Sequence, residues 1–143
     1  MGDLYDWDVL EWSQQQVRVL RQIAAGEAGA EVPDWPRVIE EIEALGRAQL
    51  SRVRTALVRA VALDFRCEAW PLARQVPQWR ADAREHRNEA AEAFTPSMRP
   101  LIDMKVIYAA ALALLPESLD DQLPLPVPPV CPVTLNEMLA GLP

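Results

Sequence analysis

The chain has 143 residues, 14 basic and 21 acidic, for a formal net charge of −7. That length sets the expectation of one domain, spanning 1-143, with a sizeable core, and half the residues are hydrophobic. An acidic surface repels nucleic acid and anionic membranes unless a local basic patch intervenes. Two cysteines, Cys67 and Cys131, fit neither a disulfide framework nor a zinc-ligand spacing and read as free thiols of a reducing cytoplasm. The MGDLYDWD start has no apolar signal core, and the stretch Val106 to Leu115 is too short to cross a bilayer.

A first helix is expected to begin after Asp3 or Asp6 and to run to about Ala25, with Val9, Leu10, Val17, Leu20 and Ile23 facing the core. Gly26 and Gly29 end it in the small-residue linker GEAGAEVPD. Asp34 then caps a long second helix, in whose first turn Pro36 is tolerated. Its apolar stripe, Val38, Ile39, Ile42, Leu45, Leu50, Val53, Leu57 and Val61, covers about seven turns. Glu40, Glu41 and Glu43 precede Arg47, Arg52, Arg54 and Arg59, the order the helix dipole favours. A helix this long and one-sided needs other helices to cover it.

Past Leu63 the periodicity weakens, and Pro71 and Pro77 bracket RCEAWPLARQVP as an irregular connection holding a turn of helix. A third helix opens at Trp79 and closes near Phe94, with Trp79, Ala83, Ala90 and Phe94 inward and His86 on or beside that line. Ser97 caps a short turn through Met98 to Ile102. A fourth helix follows from about Asp103 to Leu115; apolar nearly all round, it reads as the most buried element. Between Pro116 and Pro132 six prolines exclude regular helix and favour an extended path. This 116-133 segment either packs its Leu and Val residues on the bundle or displays them. Thr134 and Glu137 form a capping box for a last short helix, LNEMLA. The fold class is therefore all-α: a compact bundle of four main helices, a short C-terminal helix and a proline-rich strap.

The chemistry is less legible. His86 is the only histidine, and no nucleophile signature accompanies it. Glu40 and Glu43 stand three apart, but a di-iron bundle needs Glu-x-x-His motifs, and Ala83 precedes His86 by three. A metal-dependent or hydrolase-like enzyme using Glu40, Glu43 and His86 is the alternative reading; no cofactor and no metal is expected. Neither phosphate-binding glycine motif occurs. Between Arg47 and Arg87 nine arginines face four acids, Asp64, Glu68, Asp82 and Glu85, and of the 14 basic residues only Lys105 is not Arg. Arginine favours forked pairing and stacking. Five tryptophans, several at helix ends, suit either loop anchoring or an aromatic interface. The leading expectation is a non-catalytic cytoplasmic module that binds another protein or itself as a homodimer, through Arg80, Arg84 and Arg87 with Trp70 beside them. No membrane is involved, and the overall charge disfavours nucleic acid.

Five segments in register, LYDWDVLEWSQQQVRVLR, VIEEIEALGRAQLSRVRTAL, QWRADAREHRNEA, TPSMRPLI and CPVTLNEMLAGLP, resemble the bacterial family called domain of unknown function 29. The resemblance covers nearly the whole chain. It implies a compact all-helical domain and no established activity to carry over. The family's pattern has a histidine near Ala60 and a glutamine at His86, so the resemblance lends no histidine-based chemistry to this member.

Overall fold

The computed structural model describes residues 3 to 140, and among these every element of regular structure is a helix. In chain order these are α1 (Leu4–Trp7), α2 (Val9–Ala24), α3 (Trp35–Ala69), α4 (Val76–Ala93), a 3-10 turn (Pro96–Leu101), α5 (Met104–Ala113) and α6 (Leu135–Leu139). The all-α class is the expected one, with α2, α3, α4 and α5 as the main helices. The chain divides into two compact units, 1 to 46 and 47 to 143, and α3 contributes to both.

In the first unit the expected single N-terminal helix is two helices. Asp8 leaves helical geometry at φ −148°, and its carboxylate accepts from the Glu11 amide at 3.0 Å, so it caps α2. The buried face of α2 is Trp12, Gln16 and Val19, not the expected Val9, Leu10, Val17 and Ile23, which are exposed. Gln16 explains the choice. Its side-chain oxygen accepts from the Asp34 amide at 2.7 Å, satisfying backbone at the entry to α3 and so holding a polar residue on the inner face. Tyr5 packs edge-on against Trp12 at 4.9 Å, and Arg37 lies over the Tyr5 ring.

In the second unit the core lies along α3. Leu57, Val61, Phe65 and Ala69 repeat every four residues and are all buried. That repeat carries the helix through RCEA to Ala69, past the expected end near Leu63, until Pro71 halts it. α4 likewise starts earlier than expected, at Val76, because Pro77 sits in a first turn where no amide is needed. Its inner residues Trp79, Ala83 and Ala90 are buried as expected. Thr95 rather than Ser97 stands before the 3-10 turn. α5 is half-covered: Ile107, Tyr108 and Ala111 are buried while Val106 is 64% exposed, so the middle of α3, not α5, is the most enclosed element.

The proline-rich segment is held at three points. Leu125 donates its amide to Ala69 O at 2.9 Å, Trp70 Nε1 donates to Gln122 O at 3.1 Å, and the Tyr108 hydroxyl donates to Pro128 O. Leu119 and Val127 pack against core residues, whereas Leu123, Leu125 and Val130 are exposed. Its tight turn places Asp120 and Asp121 at φ 50° and 63°, a region that short polar side chains tolerate. The expected Thr134–Glu137 capping box is formed.

Candidate interaction and ligand surfaces

Two surfaces stand out, one in each unit. In the first, Leu10 and Val17 on α2, and Trp35, Ile39, Ile42 and Leu45 on α3, face solvent, each between 43% and 66% exposed. The long stripe read from the sequence is thus divided. Val38, Val53, Leu57 and Val61 are buried, and Ile39, Ile42 and Leu45 are not. Leu10, Ser13, Val17, Leu20 and Ala24 follow the three-four spacing of a helix-pairing seam. Arg18 and Arg21 lie beside this seam, with Ser13 and Val17. Arg18 pairs with Glu11 at 3.8 Å, both well exposed, a weak contact.

Behind that surface a polar cluster ties α1 to α3. Arg37 donates to Asp3 and, at 3.2 Å, to Asp34, and the Tyr5 hydroxyl donates to Glu41. The bond from Arg37 holds the Asp3 carboxyl below the usual range. The Glu41 carboxylate, by accepting from the phenol, pushes the Tyr5 hydroxyl up.

In the second unit Arg80, Arg84 and Arg87 project from one face of α4 into a cavity of about 330 Å³. Asp64 from α3 and Val133, Glu137 and Met138 from the C-terminal segment complete its wall. Arg87 Nη1 donates to Asp64 Oδ2 at 2.8 Å. Burial pushes the Asp64 carboxyl above the usual range even though Arg87 pulls the other way. A second cavity of about 270 Å³ shares Asp64, Arg80 and Val133 with the first and adds Val61, Phe65, Cys67, Glu68 and Pro132. Burial, with the Asp64 charge, also raises the Cys67 thiol.

The structure therefore brings together three of the four residues expected at an interaction site. Trp70 is 4% exposed, with its indole amine bonded to Gln122, so it belongs to the core against Trp79 and not to the arginine face. The acidic and apolar partners of the arginines were missed by sequence reading because they come from segments about 16 and 46 residues away or more. Glu40 and Glu43 lie in the first unit and His86 in the second. His86 Nδ1 is 3.6 Å from Glu89 Oε2, and its cleft is lined by Arg59, Ala62, Leu63, Arg66 and Leu114, which offer no nucleophile. Among the described residues no three His, Cys, Asp or Glu side chains gather as a metal site, and no helix is long and apolar enough to cross a membrane.

The family model described as domain of unknown function DUF29 matches residues 4–141. The chain belongs to this family. No curated protein and no solved structure matches it.

Proposed function

We propose that this member of the DUF29 family is a non-catalytic self-association module whose first unit pairs with the same unit of a second copy. The apolar surface on α2 and α3 carries this reading. Leu10, Val17, Trp35, Ile39, Ile42 and Leu45 offer on the order of 700 Å² to solvent, close to what one partner contributes to a standard interface.

A second copy is the occupant that fits. A two-fold pair of copies sets α2 and α3 of one chain against those of the other and covers the exposed apolar residues of both helices at once. Isoleucine and leucine supply the affinity.

Substitution on the two apolar faces tests this pairing. Leu10→Glu on α2 and Ile39→Glu on α3 each weaken the dimer in sedimentation equilibrium at unchanged helicity. Folded variants that associate like the wild type contradict the reading.

A further inference from the structure

The second unit holds a cleft that its own side chains leave open, and we infer that it binds a small apolar carboxylate, an organic acid with one carboxyl group and a hydrocarbon body. The two adjoining cavities measure about 330 and about 270 Å³ and share three residues. Together they fall within the range of small-ligand sites, roughly 300 to 1,000 Å³.

Charge decides the class of ligand. Arg87 is paired with Asp64, and Glu137 is engaged in the capping box of α6. Arg80 and Arg84 make no hydrogen bond or ion pair among the described residues, so they are the two guanidinium forks open to an incoming group. Over the two cavities Arg80, Arg84 and Arg87 face Asp64, Glu68 and Glu137, a formal balance of zero. The protonated Cys67 adds no negative charge. A site with no net positive excess suits a monoanion better than a phosphate dianion, and a planar carboxylate matches the open guanidinium forks.

The rest of the wall decides the body of the ligand. Val61, Phe65, Val133 and Met138 add apolar lining to the cleft beside the arginines. A hydrated inorganic ion leaves that lining unused, whereas a chain of a few carbons buries against it at about 0.8 kcal/mol per CH₂. Arg87 Nε is also buried without an acceptor in the protein, which marks the arginine wall as richer in donors than the fold itself satisfies.

Titration of the full chain with hexanoate, with hexanol and inorganic phosphate as controls, followed by amide NMR shifts, tests the assignment. Hexanoate is expected to saturate, with shifts centred on Arg84, Val133 and Met138, and to bind about tenfold or more tightly than either control. Arg80→Gln with Arg84→Gln is expected to weaken it about tenfold while circular dichroism and melting temperature stay those of the wild type. Phosphate binding as tightly as hexanoate, undiminished hexanoate binding by the folded double variant, or no saturable shift up to about 10 mM each overturns the proposal. Dimer formation by the first unit is not needed for any of these readings.

Discussion

Arg87 on α4 donates to the Asp64 carboxylate on α3 at 2.8 Å, and this pair forms the edge of the arginine-lined cleft. Asp64 keeps 37% of its side-chain exposure, so water screens the pair. Loss of the contact in Arg87→Gln is accordingly expected to cost about 1 kcal/mol in urea unfolding, below the figure for a fully buried charged bond.

The same pair has a pH signature. The Asp64 carboxyl is raised above its ordinary value of 3.8, chiefly by burial. In the window just above 3.8 the fold therefore binds its proton more tightly than the unfolded chain does. Asp64 contributes a stability that is greatest at low pH and declines as pH rises through the raised folded value. Urea unfolding of wild type and Asp64→Asn across pH 3.5 to 6 is expected to show the wild type losing ground to the variant as pH rises. In Arg87→Gln the decline steepens, because burial then acts on Asp64 without its cation. A difference independent of pH contradicts the raised value.

Trp70 is a clamp on the proline-rich segment. Its indole packs with Trp79 and Val76 while Nε1 holds Gln122 O at 3.1 Å. Trp70→Phe is expected to lose about 1 kcal/mol for the hydrogen bond. Trp70→Ala loses about 3 to 5 kcal/mol, because a large buried ring leaves a cavity behind. Thermal and chemical unfolding of the two variants check the ratio.

Tyr108 is the second clamp. Its ring meets Phe65 edge-on at 4.8 Å, and its hydroxyl donates to Pro128 O. Tyr108→Phe keeps the ring and removes the donor, for an expected cost of about 1 kcal/mol. Hydrogen exchange is expected to quicken at Val127, Val130 and Cys131 while the α3 core stays protected. Uniform exchange over the whole unit contradicts a local clamp.

The fold class, the Asp103-led start of α5 and the Thr134–Glu137 capping box were legible in the sequence because each rests on local chemistry, periodicity or a cap. The direction in which α2 faces was not. Its apolar residues offer two stripes, and the one buried contains Gln16, chosen by a hydrogen bond to Asp34, 18 residues on. No periodicity reveals such a bond. The end of α3 was misjudged for a related reason: Asp64 and Arg66 interrupt the apolar pattern, yet Phe65 and Ala69 keep the four-residue repeat and are buried. Three arginines of the cleft were legible from the arginine-rich middle of the chain, while Asp64, Val133 and Met138 entered through tertiary folding alone. Trp70 looked like an interface residue by type, and the partner it found lies within its own chain.

The mass of the protein in solution tests the central claim most directly. Gel filtration with light scattering at micromolar concentrations is expected to give twice the mass of the chain. Ile42→Glu with Leu45→Glu is expected to give the mass of one chain at unchanged helicity, since both residues are about two-thirds exposed at 66% and 65%. A wild type that stays at the mass of one chain across that range, or a folded double variant that remains dimeric, contradicts the account.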